Sequence, residues 1–513
     1  MEDTKTPSGG RRLDLTLMLI PFLVICGIGS TFFIWPEGAT NALTMIRGVI
    51  NTWFSSWICL LGLAAVGVSI YLAASPMGKI VLGEGKKPLS RFQWGSIVFT
   101  TTMAADLLYF GIVEWTFYAG DPYLDTLGGV PQDWIPTMSL FHWGPTVWSF
   151  LLILAVAFGF MMHVRGRESR KLSEACRPLL GSRVDGPLGR CFDLLTIFAL
   201  YTTVAASFAV SIPMIGAALG DILGFTAGTG TYILITVLIC GIYTASACIG
   251  MKSITWFSKA CVWLFLGLLA FVFLFSGRAM FLLETAVTCI GNLANNFLRL
   301  STQLDPLRQT WFPQNWTLFY WAYWLSWGVG APFFIAQISG GRTVRQVILE
   351  GYAWGVAGGW VSFLVMGNYG MSLQFIDGMP LMEAVAAGTP TTAVALEILH
   401  TLPLSWLVVA LVAVVMILLL TTSMDSTALI AGAFSETGLK PEELPSRRGR
   451  LFWAMLLIVL PVALLFAEGS LDNIQSVAII AALPLSVILI LCMISFFKDC
   501  RVYLRERRGG DGA

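Results

Sequence analysis

The sequence predicts an all-α polytopic membrane protein with about twelve transmembrane helices. Two observations predict it: apolar runs long enough to cross a bilayer recur along the whole chain, and Lys and Arg concentrate in alternate loops between them. Of 513 residues, 56% are hydrophobic and 12% charged, about half the charge of a soluble chain. The mean hydropathy is +0.77. A crossing helix takes about 20 mostly apolar residues. Such runs extend over 14–35, 54–75, 92–118, 136–164, 191–217, 229–250, 254–280, 316–339, 343–373, 404–433, 449–468 and 474–497.

The first run follows Gly10-Arg11-Arg12 and continues to Trp35 with no small-residue cleavage site, so it reads as a membrane helix rather than a signal peptide. The loops provide an independent test, because cytoplasmic loops are enriched in Lys and Arg. Lys5, Arg11 and Arg12 precede the first run; Lys79, Lys86, Lys87 and Arg91 follow the second. Seven basic residues from Arg165 to Arg190 follow the fourth, and Lys252 and Lys259 the sixth. Arg342 and Arg345 follow the eighth; Lys440, Arg447, Arg448 and Arg450 the tenth; and Lys498, Arg501, Arg505, Arg507 and Arg508 close the chain. Odd-numbered loops are acidic instead, with Asp121, Asp125 and Asp133 in the third, Asp377, Glu383 and Glu397 in the ninth, and Glu468 and Asp472 in the eleventh. The seventh is mixed. Such alternation predicts an inner cell membrane protein with both termini cytoplasmic.

Within the seventh loop, 281–300 places Phe281, Leu282, Ala286, Val287, Ile290, Leu293, Phe297 and Leu300 at helical spacing. This predicts an amphipathic surface helix, either bracing an oligomer or simply lying in the interface. The net charge of +1 gives no basis for nucleic-acid binding. The ten cysteines form no CxxC pair, and no HExxH occurs among the three histidines, so composition points to no metal site, cofactor or catalytic centre.

Four segments carry candidate chemistry. Trp316, Tyr320, Tyr323, Trp324 and Trp327 share one face of one helix. Spacing alone divides evenly between a lipid-facing stripe and a binding face. A trimethylammonium group has no N–H to donate, and aromatic π-faces suit it physically. Phe141-His142-Trp143-Gly144-Pro145 offers a further wall, with His142 read as a satisfied core histidine. Asp106 stands inside the third apolar run, after Thr100-Thr101-Thr102-Met103-Ala104-Ala105. An intramembrane carboxylate marks a functional position by default, the alternative being a partnered structural group. Glu114, nearer the outer end, reads as structural. Thr421-Thr422-Ser423-Met424-Asp425-Ser426-Thr427 supplies oxygens suited to Na⁺ or to gluing helices together.

Together these segments resemble the betaine/carnitine/choline transporter family, over about residues 15–500. The most specific stretches are Asn315-Trp316-Thr317-Leu318-Phe319-Tyr320-Trp321-Ala322-Tyr323-Trp324-Leu325-Ser326-Trp327 and Ile335-Ala336-Gln337-Ile338-Ser339-Gly340-Gly341-Arg342-Thr343-Val344-Arg345. Phe141-His142-Trp143-Gly144 and Thr422-Ser423-Met424-Asp425-Ser426 match as well. The resemblance implies a LeuT-like core of inverted five-helix repeats, at 91–280 and 315–498. Two extra helices at 14–90 precede it, the surface helix at 281–300 separates the repeats, and cytoplasmic tails at 1–13 and 499–513 flank them. It also implies a homotrimer and a substrate site near the midplane.

Carried over by position, the aromatic box is Trp143, Tyr323, Trp324 and Trp327, with Phe117 and Trp115. Thr422 and Ser423 fall where Na⁺-coupled members hold sodium, helped by backbone near Thr100 and Met103. Tyr323 departs from the usual Trp and Gln337 from the usual Arg. The break in the third helix lacks the usual glycines, as in the carnitine/γ-butyrobetaine antiporters. That branch's ion-replacing Met and Arg correspond here to Ala331 and Cys261, so sodium-independent exchange is not supported. Asp106 stands where choline-type members carry Asp. The expectation is a choline-type secondary transporter coupled to Na⁺ or H⁺. Betaine and carnitine are runner-up substrates, and an intramembrane enzyme using His142 and Asp106 is a remote rival. The short segment after Asp499 favours a catabolic role over an osmotically regulated one.

Overall fold

The computed structural model describes residues 12–510 apart from 104, 168–169, 329, 440–442 and 467–470. Lys5, Arg11, Ala104, Lys440 and Glu468 therefore lie outside the described residues. The rest is almost wholly helical. The first helices are α1 (Leu15–Ile34), α2 (Pro36–Trp53) and α3 (Ser55–Ala74). The third run forms α4 (Arg91–Thr102) and α5 (Asp106–Tyr118), bent by 61° about a short break. The fourth forms α6 (Pro131–His142) and α7 (Pro145–Gly159), extended by a π-helical turn at Phe160–Val164. Then follow α8 (Pro187–Leu223), α9 (Thr229–Ile249), α10 (Met251–Phe275) and the surface helix α11 (Ala279–Thr302).

The aromatic run begins with a π-helical turn at Pro313–Thr317 and continues as α12 (Leu318–Trp327) and α13 (Gly330–Ile338). Next are α14 (Val344–Ser362), a π-helical turn at Phe363–Gly367, and α15 (Asn368–Phe375). The last helices are α16 (Ser405–Phe434), α17 (Arg447–Leu456), α18 (Val459–Phe466) and α19 (Leu471–Gly510). Short helices fill the longer loops.

Each of the twelve predicted apolar runs is mainly helical among the described residues. Among the described residues, nine helices are long and apolar enough to cross a membrane, or ten with the bent pair α4–α5 counted as one span. The remaining two runs are split into α12–α13 and α17–α18, with each piece too short to cross alone. A count of twelve therefore treats each broken pair as one crossing. Two helical segments go beyond the prediction. The segment 36–53 is a helix although it carries Glu37, Asn41, Arg47 and Asn51, and α19 runs unbroken into the basic segment after Asp499.

Local chemistry sets the ends of these helices. Asp14, Ser90 and Ser446 accept from the amides of Leu17, Gln93 and Gly449 at the starts of α1, α4 and α17. Thr343 and Gln346 form a reciprocal capping box on α14. Prolines open α2, α6, α7 and α8, where the missing N–H costs nothing. At the α6–α7 break, a Cβ on Gly144 would come within 2.4 Å of the Leu140 carbonyl oxygen, so only glycine allows that turn.

Burial divides the helices into a centre and a rim. The apolar windows of Pro131–Val164 and Pro187–Leu223 are 89% and 83% buried, against 33% for α1 and 28% for the start of α9. The aromatic helix α12 is buried on every side. At the end of the molecule where α1 begins, Arg12 and Leu13 pair with Thr437 and Glu436 as a short antiparallel β-ladder.

Candidate functional site

Asp106 opens α5 directly after the break and is 3% exposed. A carboxylate there lies at the positive end of the helix dipole, which partly offsets the cost of burying it. Two other helices complete its surroundings. The Tyr323 hydroxyl on α12 donates to Asp106 Oδ2 at 2.7 Å, and Ser207 on α8 donates to Oδ1 at 3.4 Å. Trp327 also faces the Tyr323 hydroxyl. Asp106 and Tyr323, the residue that replaces the usual Trp of the motif, are therefore two ends of one hydrogen bond.

One helical turn further along α5, about 5 Å, the aromatic side chains converge. Phe110 lies 5.8 Å from Trp143, and Trp143 meets Trp324 edge to face at 5.7 Å. Tyr320 and Phe363 flank Trp143 at 5.6 and 5.2 Å, and Trp148 backs Trp324 at 5.8 Å. Edge-to-face contacts of this kind follow from the ring quadrupole. The Trp324 indole N–H is buried without a hydrogen-bond partner.

Glu114, one turn beyond Phe110, holds this wall in place. It is fully buried and accepts from the Trp143 indole at 2.8 Å, from Tyr320 at 2.5 Å and from Tyr118 at 2.9 Å. Having given its proton to Glu114, the Tyr118 hydroxyl can only accept from His142 Nδ1, 2.8 Å away. His142 Nε2 then accepts from Thr317 at 2.9 Å. Glu114 and His142 thus tie α5, the α6–α7 break and the aromatic helix together, and both ring nitrogens of the histidine are satisfied.

The structure brings together Asp106, Tyr323, Trp327, Trp143 and Trp324. It does not bring in the other two candidate aromatics. Trp115 points to the opposite side of α5 from Asp106, where its indole donates to Ile112 O at 3.0 Å and lies against Gly370. Phe117 shares the Asp106 face but stands three turns further along, stacked on Trp316 at 5.3 Å. The residues that sequence reasoning did not place at the site are Phe110, Ser207, Tyr118 and Phe363. Asp106, Phe110, Glu114 and Tyr118 recur every fourth residue, and that spacing was the available signal.

Beyond the break, Thr422 Oγ1 and Ser423 Oγ on α16 both reach the Thr100 carbonyl oxygen, at 3.1 and 3.2 Å. Thr100 is also held by its hydroxyl to Ser258 at 2.7 Å. Met103 is extended at the helix end, so its carbonyl leaves the α4 direction. These are the oxygen types a hard cation takes. No cluster of three His, Cys, Asp or Glu suited to a metal occurs among the described residues.

Residues 16–504 match the family described as BCCT, betaine/carnitine/choline family transporter. The chain is 30% identical to an uncharacterized transporter of Escherichia coli (strain K12), YeaV, over 85% of this chain and 91% of that protein. It is also 30% identical to the osmo-independent choline transporter BetT1 of Acinetobacter baylyi, over 92% and 90%. Identity to a carnitine transporter of Acinetobacter baumannii is 26%, over 93% and 86%. With the family match covering nearly the whole chain, apolar helices throughout and transporters as its relatives, this protein is a multi-pass membrane transporter and not an enzyme. It belongs to the betaine/carnitine/choline transporter family.

Proposed function

We propose that this protein carries choline or a closely related quaternary-ammonium cation by cation-coupled alternating access. The observation that carries the reading is the pairing of an aromatic wall with a carboxylate one helical turn away. Trp143 and Trp324 offer π-faces to a trimethylammonium group, and Glu114 fixes the Trp143 indole through its N–H. Asp106 adds a negative charge that complements a cation and accepts a hydrogen bond from the choline hydroxyl. The same charge opposes the carboxylate of betaine or carnitine. The relative named as a choline transporter supports the reading at 30% identity.

In this mechanism the substrate displaces the Tyr323 hydroxyl from Asp106, and the wall closes over its methyl groups. Thr422, Ser423 and the Thr100 and Met103 carbonyls would hold a sodium ion that favours the loaded state, whereas a proton on Asp106 would remove the charge that attracts choline and would couple transport of betaine or carnitine instead. The repeats at 91–280 and 315–498 then rock about the site. The protein acts in the inner membrane as a homotrimer with cytoplasmic termini. A second reading, transport of betaine or carnitine/γ-butyrobetaine by symport or exchange, has the relative named as a carnitine transporter in its favour. Trp324→Leu tests the wall directly. A desolvated cation–π contact contributes roughly 2 kcal/mol, so choline affinity measured by titration calorimetry should fall about thirtyfold. Unchanged affinity for every quaternary ammonium tested would place the site elsewhere.

A further inference from the structure

The structure assigns a second role to Trp324: its indole N–H donates a hydrogen bond to the oxygen of the bound substrate. The assignment rests on the reading of a quaternary-ammonium substrate at the aromatic wall. It adds to the π-face of Trp324 a polar edge, and with it a means of telling a hydroxylated ammonium from a purely hydrocarbon one.

Burying a donor with no acceptor is costly, so the polar atoms of a closed wall normally have partners. Most of this wall follows the rule. Glu114 takes the Trp143 indole and the Tyr320 hydroxyl, and Asp106 takes the Tyr323 hydroxyl. Trp324 is the exception. It is 1% exposed, and its N–H has no hydrogen-bond partner. Around it stand other rings, Trp143 at 5.7 Å and 90° and Trp148 at 5.8 Å and 44°, and ring faces accept an N–H only weakly. The indoles of Trp148 and Trp321 also lack partners. Those two pack against helices behind the wall, Trp148 on Gly355 of α14 and Trp321 on Gly62 of α3.

Two links connect Trp324 to the carboxylate. Its chain neighbour Tyr323 reaches Asp106 at 2.7 Å, and its ring neighbour Trp143 lies against Phe110, one turn from Asp106 on α5. The two polar groups are complementary. An ionised Asp106 can only accept, the indole N–H can only donate, and a hydroxyl does both. The choline oxygen therefore donates to Asp106 and accepts from Trp324. Two carbons separate that oxygen from the nitrogen, so the methyl groups meet ring faces while the oxygen meets the indole edge. A buried group that finds its partner only in the ligand selects strongly against analogues without that partner.

Titration calorimetry on the purified full-length protein, with choline and with ethyltrimethylammonium, its analogue lacking the oxygen, tests the assignment. The unaltered protein should prefer choline. Trp324→Phe keeps a ring and removes the N–H, and should cut that preference about fivefold, the effect of one neutral hydrogen bond. An equal loss of affinity for both ligands would overturn the role and leave Trp324 as a ring alone. A second pair needs no variant. (2-Methoxyethyl)trimethylammonium accepts a hydrogen bond and cannot donate one, whereas butyltrimethylammonium has the same chain length and no oxygen. The unaltered protein should bind the ether at least as tightly as the hydrocarbon, because the N–H offsets the loss of water from the ether oxygen. Tighter binding of the hydrocarbon would overturn the role while leaving the quaternary-ammonium site in place. Failure of all four ligands to bind would overturn the site and the role together.

Discussion

Two buried carboxylates one face of α5 apart divide the work of the site. Glu114 accepts from three side chains and so spends its acceptor capacity on holding Trp143, Tyr320 and Tyr118. Asp106 accepts from two hydroxyls, one of them the Tyr323 phenol of the aromatic helix itself. A ligand hydroxyl or ammonium can replace a phenol there at little cost, whereas replacing any Glu114 partner would undo the wall. Hydrogen bonds to charged groups contribute roughly 1.5–3 kcal/mol. Asp106→Gly should therefore weaken choline binding by about ten- to a hundredfold relative to betaine, measured by competition for one site. The substitution orphans the buried Tyr323 hydroxyl, so Asp106→Gly combined with Tyr323→Phe should show the same shift with better folding. Unchanged relative affinity in both would assign Asp106 to structure alone.

Among elements, the loop joining the surface helix α11 to the aromatic helix α12 is organised by a single side chain. Asp305 has a left-handed backbone (φ 43°) and accepts from the amides of Gln309, Thr310 and Trp311. Burial pushes its carboxyl up, but the amide N–H groups outweigh that and hold it below the ordinary 3.8. A carboxyl lowered on folding stabilises the folded form fully above its unfolded value, and that contribution is lost as pH falls through the lower, folded one. Hydrogen-exchange protection of amides 309–311, corrected for intrinsic rates, should therefore stay constant from pH 7 to about 4 and fall below that. In Asp305→Asn this acid step should disappear. A fall already at pH 6 would mean that another group holds the loop.

The long apolar helices were legible because a bilayer crossing demands some 20 apolar residues whatever the tertiary context. The α2 helix was not. Its polar residues Arg47 and Asn51 turn inward, bonding Asn315 Oδ1 and the Gln314 carbonyl, while Met45, Val49 and Trp53 face out. Read as a soluble segment, that pattern looks like a loop. The helical continuation of α19 was hidden for a related reason. Arg165 and Arg167 bind Asp499 at 2.9 and 2.7 Å, a long-range pairing that no local pattern announces. Of the aromatics carried over by motif position, Trp143 and Trp324 meet each other while Trp115 and Phe117 stand apart from them, because a position in a motif does not say which way a helix face points.

Across the whole molecule, the centre is a buried wall of aromatic rings set between broken helices, and the rim helices turn apolar side chains outward. Four of the twelve apolar runs are each built from two helices, α4–α5, α6–α7, α12–α13 and α17–α18, and the first three of these pairs place Asp106, Trp143 and Trp327 at their facing ends. Broken helices place backbone dipole ends and carbonyls where a ligand and an ion can use them. Under the proposed alternating-access mechanism, release from such a site requires the surrounding helices to move as bodies. The measurement that tests this most directly is uptake by purified protein in liposomes, with labelled choline, betaine, carnitine and γ-butyrobetaine each offered under an imposed Na⁺ or H⁺ gradient. The expected result is saturable choline accumulation driven by one of the two gradients, with half-saturation shifted about thirtyfold higher by Trp324→Leu. Accumulation of the zwitterions alone, with choline excluded, would contradict it.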